Sequence, residues 1–419
     1  RAQPLPQGHE VLTERLLNAG AIHPIPSAAD SARFALNTVT AVVPAYIRTA
    51  QDAAALKSLD VSCSALHSVV VIDDCSPHAL PDLGAARVIR LETNSGPAAA
   101  RNAGIATVDT EFIACIDVDV SITDRTISQL LPYFADDTVA LVAPRVKSHV
   151  STNFIGEYEV AASVLDMGET EARVRAGTRV SYVPSAMWLC RTTALRSLSG
   201  FDESLRSGED VDMVWRLNDA GWRCRYQPQA ECSHLPRTSL HKFLLQRVSY
   251  GASAAALAKR HTGKLAPAKF NVWQASTWLL VLLGMPFIAL GVAIVASAST
   301  AQKLRRFPQL RDESFRISLR GTAQSAQSAA SAINRVWWPI AFILAMFSQR
   351  LRVLFIAAAL APAVYEWWIK RPHLDVVRFT LMKMLDNAAY GAGVWKGVVA
   401  QRNAAPLIPT VKRSAANEE

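Results

Sequence analysis

Cysteine is scarce in this sequence, and no two cysteines are closely spaced. A zinc finger or zinc ribbon needs close ligand pairs, so those classes are excluded; the six cysteines are Cys63, Cys75, Cys115, Cys190, Cys224 and Cys232. Because Cys75 and Cys115 fall in or beside apolar segments, we interpret them as buried free thiols in a reducing compartment. No secretory signal is visible, and the chain begins at Arg1 rather than Met, as expected if an N-terminal stretch is missing.

Acidic residues are fewer than basic ones. The chain has 44 Lys and Arg against 35 Asp and Glu, a net charge of +9, and half of its 419 residues are hydrophobic. A basic balance suits nucleic acid, anionic lipid or an anionic substrate. The sequence lacks nucleic-acid motifs and aromatic side chains interleaved with basic ones, so we expect no nucleic-acid partner.

Charged residues are missing altogether between residues 270 and 302. The apolar run 278–295 is long enough to cross a bilayer, which takes about 20 residues. Gly284 and Pro286 lie near its middle, so we expect the run to bend back. Buried core helices of a globular domain are the alternative, although a charge-free stretch this long is hard to bury in a small domain.

Two further apolar runs, 336–347 and 353–365, are short for spanning helices and have tryptophans at their outer ends, as interfacial segments do. If all three runs spanned, the basic segments 300–335 and 370–419 would both face outside, against the positive-inside tendency. We therefore expect a cytoplasmic catalytic domain and a C-terminal third on the inner face of the cytoplasmic membrane. Residues 378–400 suit a surface helix on anionic lipid.

The first part of the chain alternates strand and helix signals. Apolar, β-branched runs at 38–46, 68–76 and 87–91 precede a helix that begins near Pro97, and the buried strand 112–120 follows it. This order predicts an α/β fold with a mostly parallel sheet flanked by helices. In such sheets the ligand chemistry lies at the carboxyl edge of the strands.

Two carboxylates, Asp117 and Asp119, end the fourth predicted strand with one apolar residue between them. Alternate residues of a strand face the same way, so both acids leave the pleat on one side. Hard divalent ions prefer oxygen ligands and bridge to phosphate. An ordinary strand-end turn with two solvated acids is the alternative.

Five segments, taken in order, resemble family-2 glycosyltransferases of the GT-A fold over about residues 38–250. Each motif is weak alone and the set is specific: V-V-P-A-Y at 42–46, V-I-D-D-x-S at 71–76, N-x-G-P-A-x-A-R-N at 94–102, D-x-D at 117–119 and S-G-E-D at 207–210. Within that family, residues 16–24, residues 183–188 and the hydrophobic C-terminal third most resemble the glycosyltransferases of the actinobacterial mycofactocin system.

The resemblance implies a donor site for a UDP-sugar. Pro44 and Tyr46 at the first strand tip offer an aromatic edge to a base, and Asp74, or else Asp73, would accept hydrogen bonds from uracil or ribose. Arg101 would contact the diphosphate or form a structural ion pair, and both readings stay open. The remaining donor-site candidates are Asp117, for the ribose, and Arg247, for the diphosphate.

The resemblance also implies a metal and a general base. Asp119 would ligate Mg²⁺ or Mn²⁺, Asp117 would contact ribose or a metal-bound water, and His234 would be a third ligand or a structural histidine. Asp210 would take the acceptor's proton and Glu209 would orient it, which implies inversion in one displacement. Both acids would also suit plain stabilisation of a helix N-terminus.

Ser185, Ala186 and Trp188 form a small-then-aromatic segment that faces the acceptor in the resembled fold. Core packing is the alternative for Trp188. The Q-x-x-R-W signature of processive synthases is absent, since the corresponding residues read Gln246-Arg247-Val248-Ser249-Tyr250. Extrusion of a long polymer is therefore not expected.

The sequence predicts four parts: an N-terminal appendage at 1–37 that packs on the fold or contacts the acceptor, a GT-A domain at 38–260, membrane-associated helices at 261–402 and a disordered tail at 403–419. The leading function is transfer from a UDP-sugar, by resemblance UDP-glucose, to form a β-linked oligosaccharide on the peptide-derived redox cofactor mycofactocin. A lipid acceptor, polyprenyl phosphate or glycolipid, is the runner-up. A sugar nucleotidyltransferase would need a Gly-rich loop after the first strand, which this sequence lacks. A non-catalytic scaffold would be expected to have lost at least one of the predicted catalytic or metal-binding acids, and all of them are present.

Overall fold

A computed structural model describes residues 10–303 and 311–412 of the chain. The chain divides into two compact units, Arg1–Thr238 and Ser239–Glu419. The first unit is a mixed α/β domain and the second is helical. The division between the compact units falls after Thr238 rather than at residue 260, because the helix Leu240–Arg260 packs within the second unit.

The first unit is built on a nine-stranded sheet among its described residues, with the strand order β3-β2-β1-β4-β8-β6-β9-β5 and β7 paired to β9. The strands are β1 (Val39–Ala45), β2 (Ser68–Asp73), β3 (Arg87–Arg90), β4 (Phe112–Ile116), β5 (Val120–Ser121), β6 (Val139–Ser148), β7 (Ala172–Val174), β8 (Met187–Arg191) and β9 (Arg223–His234). The N-terminal half, β3 to β4, is parallel, whereas β8 runs antiparallel to both β4 and β6. The α/β class predicted from the sequence is confirmed.

Eight helices of the first unit are described, and the longer ones cover the sheet. They are α1 (Glu10–Asn18), α2 (Ala28–Arg33), α3 (Ala50–Ser62), α4 (Pro97–Ala106), α5 (Asp124–Leu130), α6 (Phe154–Ala162), α7 (Thr192–Ser197) and α8 (Glu209–Asp219). The β-branched residues of β1, β2 and β4 are almost wholly buried, as expected for central strands with both faces covered. Helix α4 begins as predicted, with Pro97 at its first position after Gly96, which has φ +92°.

In the second unit, α9 (Leu240–Arg260) and α15 (Val376–Gln401) pack backbone against backbone. A Cβ on Gly251 would lie 2.0 Å from the Tyr390 carbonyl oxygen, and one on Gly393 would lie 2.1 Å from that of Val248. Glycine alone allows this approach. Helix α9 therefore belongs to the helical unit.

The other helices of the second unit are largely apolar. They are α10 (Val272–Leu282), α11 (Pro286–Lys303), α12 (Arg311–Ala332), α13 (Trp338–Phe347) and α14 (Gln349–Lys370), with one π-helical turn, Ile333–Trp337, between α12 and α13. The run 278–295 breaks between α10 and α11 at Gly284, whose φ is +80°. The bend predicted there is present.

Two helical stretches, Arg320–Phe347 and Gln349–Lys370, are long and apolar enough to cross a membrane. They are longer than the two short runs expected from the sequence because helix continues into the flanking residues. Little of either is buried, and large side chains such as Phe342, Phe347 and Trp368 are exposed. The alternative of buried core helices is therefore wrong for these two stretches.

The tail is ordered over part of its predicted disordered range. Residues Ala405–Leu407 form a 3₁₀ turn, and β11 (Thr410–Lys412) pairs in parallel with β10 (Lys269–Asn271). The rest of that prediction, residues 413–419, lies outside the described residues. So do residues 1–9 of the predicted N-terminal appendage, while α1 is held to β9 by an ion pair between Glu14 and Arg223.

Candidate active site

The predicted catalytic acids meet where β4 ends and α8 begins. Asp117 follows β4, and its backbone N–H donates to the Ala186 carbonyl, 2.9 Å away, just before β8. Helix α8 starts at Glu209, after Gly208 in the left-handed region at φ +83°. The turn brings Glu209 and Asp210 to the carboxyl edge of the sheet, where ligands of α/β folds bind.

Arg101 of α4 joins these elements. Its Nη2 lies 2.6 Å from Asp117 Oδ1 and its Nη1 lies 3.1 Å from Glu209 Oε1, and the residue is only 2% exposed. The guanidinium also faces the Phe201 ring, 5.4 Å from its centroid. Arg101 therefore forms ion pairs with Asp117 and Glu209. A structural ion pair was one of the two roles that the sequence predicted for it. A diphosphate contact stays a prediction.

Burial changes the protonation of two of these acids. Desolvation raises the pKa of Asp117 to about 6, although Arg101 opposes the shift. Desolvation and the neighbouring Glu209 raise the pKa of Asp210 to about 7, against a hydrogen bond from the Val211 N–H, 2.8 Å away. A carboxylate with a pKa near neutrality is suited to accept a proton.

Asp119 and His234 form a second pair beside the first. Strand β5 pairs with the end of β9, so that Val120 lies opposite His234, and His234 Nε2 is 2.9 Å from Asp119 Oδ2. Burial acts against both charges, but the contact outweighs it: the pKa of Asp119 is lowered and that of His234 is raised. Two of the three residues predicted at the metal site, Asp119 and His234, are therefore adjacent.

The donor atoms of this pair fit a divalent cation shared with a substrate. Asp119 keeps 44% of its side chain exposed, and a carboxylate and an imidazole are accepted ligands of Mn²⁺, as the carboxylate is of Mg²⁺. Within residues 10–303 and 311–412, no cluster of three His, Cys, Asp or Glu side chains could hold an ion alone. Such an ion would need phosphate or water oxygens to complete its shell.

The two acids after β2 have different surroundings. Asp73 is paired with Arg90 of the neighbouring β3 and accepts from the Ser76 N–H at 2.8 Å. Asp74 accepts from the backbone N–H groups of Ser95 and Gly96, at 2.7 and 2.8 Å. Each carboxylate still has lone pairs that could accept a further hydrogen bond. The nucleoside contact predicted for Asp74 is therefore compatible with this geometry and stays a prediction.

Sequence reasoning missed Arg90 at this place. In the parallel register of β2 and β3, Asp73 lies directly opposite Arg90. Only the strand pairing reveals this contact, since 17 residues separate the two positions. Arg90 also donates to the Ser76 carbonyl at 3.0 Å and so fixes the loop after β2.

Pro44 and Tyr46, which are predicted to contact the nucleotide base, are at least partly exposed to solvent. Tyr46 is an exposed aromatic side chain just after β1, and Pro44 is half-buried within that strand. The Arg48 guanidinium lies 5.8 Å from the Tyr46 ring centroid. A face of Tyr46 therefore remains available to a planar base.

The prediction that an acceptor sugar stacks on Trp188 is wrong. Trp188 is 0% exposed on the central strand β8 and stacks on Phe201 with centroids 5.7 Å apart. A side chain without exposed surface offers no face to a sugar, so core packing is the correct reading. Ser185 and Ala186 are also buried, and their acceptor role stays a prediction.

We expect Trp188→Leu to lower stability by about 3 kcal/mol, the cost of a large-to-small change in a core, while the KM for acceptor in the folded fraction stays unchanged. Thermal unfolding and initial rates measure the two effects. The matched variant Tyr46→Leu should do the reverse, with an unchanged melting temperature and a raised KM for donor. An acceptor KM that rises for Trp188→Leu at normal stability would restore the acceptor reading.

Arg247 lies in the helical unit and already has partners. It is 1% exposed, its Nε is 2.8 Å from Asp386 Oδ1, and it stacks on Phe243 at 4.4 Å. A guanidinium enclosed in this way is not free for a diphosphate. The donor role predicted for Arg247 therefore gives way to a structural ion pair between α9 and α15.

Comparison with known proteins agrees with the motifs. Residues 40–199 match the model of glycosyl transferase family 2. The chain is 38% identical to pre-mycofactocin glycosyltransferase of Mycobacterium tuberculosis (strain H37Rv), over 96% of this chain and 87% of that protein. It is 30% identical to the succinoglycan biosynthesis protein ExoO of Rhizobium meliloti, over 46% of this chain and 59% of that one.

Among solved structures, a mannosyltransferase from Pyrobaculum calidifontis covers 75% of this chain and 94% of its own, at 16% identity and a TM-score of 0.43. The near full-length relative and the family model are sufficient: the chain belongs to glycosyltransferase family 2 and is an enzyme of that family.

Proposed function

We propose that this chain transfers glucose from UDP-glucose to a hydroxyl acceptor with inversion, and that it builds a β-linked oligosaccharide on the mycofactocin precursor. The observation that carries the proposal is the cluster of acids at the carboxyl edge of the sheet, where Arg101 holds Asp117 and Glu209 beside Asp210. The raised pKa of Asp210, about 7, supports its role as a base. The relative named pre-mycofactocin glycosyltransferase supports the acceptor, because the similarity runs through nearly the whole chain.

Asp210 would act as the general base. With a pKa near 7, part of the population is ionised at neutral pH and can take the hydroxyl proton as the acceptor oxygen attacks the anomeric carbon. The bond to the diphosphate breaks in the same displacement. One base and one attack give inversion, and no second catalytic carboxylate is needed.

Glu209 would hold the geometry of this base. Its carboxylate is held by Arg101, which also holds Asp117, so the start of α8 is fixed against the end of β4. A positioned base is worth more than a mobile one, since the entropy of alignment is lost before the reaction. Asp117 would reach the donor through its remaining oxygen.

Asp119 and His234 would hold Mg²⁺ or Mn²⁺ at the donor diphosphate, and a bound divalent ion stabilises negative charge on the leaving nucleoside diphosphate. Asp119 suits this role because its carboxylate is partly exposed and its pKa is lowered. Tyr46 and Asp74 would bind the uracil and ribose.

We expect Asp119→Ala to lower metal-dependent turnover by about 100-fold or more, the loss typical when one stabilising group at a reacting centre is removed. Release of UDP over a Mn²⁺ titration measures it. Asp124→Ala, which removes an exposed acid from the nearby α5, is the matched control and should leave the rate unchanged. A wild-type rate for Asp119→Ala in saturating Mg²⁺ would remove Asp119 from the metal site.

The acceptor can be tested directly. The purified protein is incubated in detergent with UDP-glucose and the mycofactocin precursor, and mass spectrometry should detect products that differ by successive hexoses. No hexose addition, together with normal release of UDP in the presence of another acceptor, would contradict the proposed acceptor and leave the enzyme class intact.

A lipid acceptor is the second candidate, and one observation favours it. Two apolar stretches, Arg320–Phe347 and Gln349–Lys370, are mostly exposed, as expected of a chain held at the inner face of the cytoplasmic membrane. Transfer to polyprenyl phosphate in vesicles, but not to the precursor in solution, would favour this candidate. Transfer to the precursor alone would leave these helices as an anchor.

A further inference from the structure

The short ribbon formed by β7 and β9 contains two arginines that face each other across the strands. Arg173 and Arg225 are direct partners in the antiparallel register. Arg225 is only 5% exposed, and its guanidinium lies 5.8 Å from the Tyr133 ring centroid. Two like charges placed opposite each other in a sheet repel, so the arrangement needs a compensating group.

Among the described residues no carboxylate forms an ion pair with either arginine, although Glu171 and Asp136 attract Arg225 and Glu14 attracts Arg173 from a greater distance. Arg173 Nε and Nη1 are buried without a hydrogen-bond partner, and so is His23 Nδ1 in the segment before α2. Within residues 10–303 and 311–412, no carboxylate lies within 4.0 Å of the Arg173 or Arg225 guanidinium. Buried donors are almost always satisfied in folded proteins, so the unpaired Arg173 nitrogens need a water or an anion as their partner.

Of the neighbouring acids, Glu14 and Asp136 pair with Arg223, whereas Glu171 attracts both Arg225 and His23 without an ion pair to either. Arg179 donates to backbone carbonyls that include Met167 at 3.1 Å. Burial lowers the pKa of Arg225 to about 10 and lowers that of Arg173 as well. Two guanidinium groups without a direct ion pair therefore lie opposite each other, and the nearby carboxylates compensate their charge only from a distance.

The place is distinct from the catalytic acids. Arg225 lies opposite Val142 on β6, whereas His234 lies opposite Ser148 on the same strand. The six residue steps from Val142 to Ser148 on β6 span about 20 Å at a rise of about 3.3 Å per residue, so Arg225 and His234 are about that far apart. A ligand at the arginine pair would therefore not contact Asp119 or the donor diphosphate.

We propose that Arg173 and Arg225, with His23 beside them, bind a small oxyanion of the phosphate or carboxylate class. A guanidinium presents parallel N–H donors that match the oxygens of either group, and two of them can hold one anion from both sides. The unpaired His23 nitrogen adds a donor or an acceptor, according to its tautomer. The site is independent of the proposed sugar transfer.

Thermal unfolding of the full chain in detergent tests the site, with sodium phosphate compared with sodium chloride at equal ionic strength. An anion that binds only the folded state should raise the wild-type melting temperature by about 5 °C near saturation. Arg225→Met and Arg173→Gln should lose the shift, while Arg87→Met, which removes an exposed arginine from the edge strand β3, should keep it. Acetate in place of phosphate distinguishes a carboxylate ligand from a phosphate ligand.

The comparison without anion provides a second readout. Arg225→Met should then melt at or above the wild-type temperature, because it removes an unpaired buried charge. If neither phosphate nor acetate stabilises the wild type, or if Arg225→Met and Arg173→Gln respond as strongly as the wild type, the proposal is overturned. Isothermal titration of the wild type with phosphate covers the case in which a variant fails to fold.

Discussion

Replacing Asp210 with Asn lowers kcat by about 10²–10⁴-fold, the range for loss of a positioned general base, and leaves the affinity for UDP unchanged. The amide has nearly the shape of the carboxylate and can still accept from the Val211 N–H, so the start of α8 is kept. Single-turnover rates and calorimetric titration with UDP separate the two effects.

The pH dependence provides the accompanying signature. Asp210 must be ionised to accept a proton, and burial raises its pKa to about 7. The wild-type kcat/KM should therefore fall as pH decreases through 7, and this limb should be absent from the residual activity of Asp210→Asn. Asp109→Asn, which changes an exposed acid before β4, is the control. It should keep the wild-type kcat and the same fall of kcat/KM at low pH. Loss of UDP affinity in Asp210→Asn would instead make Asp210 a donor-site or structural residue.

Replacing Arg101 with Met lowers the free energy of unfolding by about 3 kcal/mol, because removing one partner of a buried ion pair leaves the other charge uncompensated. Here two acids, Asp117 and Glu209, lose their common cation. Activity should fall together with stability, since the same ion pairs align the ends of β4 and α8. Denaturant unfolding and initial rates on the folded fraction measure both losses.

A second substitution tests the cause. In Arg101→Met/Glu209→Gln one of the two stranded charges is removed, so part of the lost stability should return while activity stays low. Arg87→Met changes an exposed arginine and should be within about 0.5 kcal/mol of the wild type. If Arg101→Met unfolds like the wild type, the buried bridge does not hold these elements together.

Sequence reasoning worked best where position along a strand decides the outcome. Asp117 and Asp119 follow a buried strand and Glu209 and Asp210 begin a helix, so their place at the carboxyl edge of the sheet followed from alternation and helix start signals. The break at Gly284 was predictable for the same reason, because a glycine before a proline ends a helix locally.

Sequence reasoning failed where a residue's environment depends on distant partners. Trp188 and Arg247 have side chains suited to ligands, but Phe201 stacks on one and Asp386 pairs with the other. The boundary near residue 238 was missed because the glycine contacts between α9 and α15 join positions that are about 140 residues apart. Arg90 was missed because only the β2–β3 register places it beside Asp73.

Release of the nucleoside diphosphate by the purified full chain tests the central claim most directly. It is measured as UDP from UDP-glucose, UDP-galactose and UDP-N-acetylglucosamine and as GDP from GDP-mannose, with and without Mn²⁺. We predict the fastest release from UDP-glucose, dependence on Mn²⁺, and loss of that dependence in Asp119→Ala. Preference for GDP-mannose, or release that is undiminished in a metal chelator, would contradict the account of a metal-dependent UDP-glucose transferase.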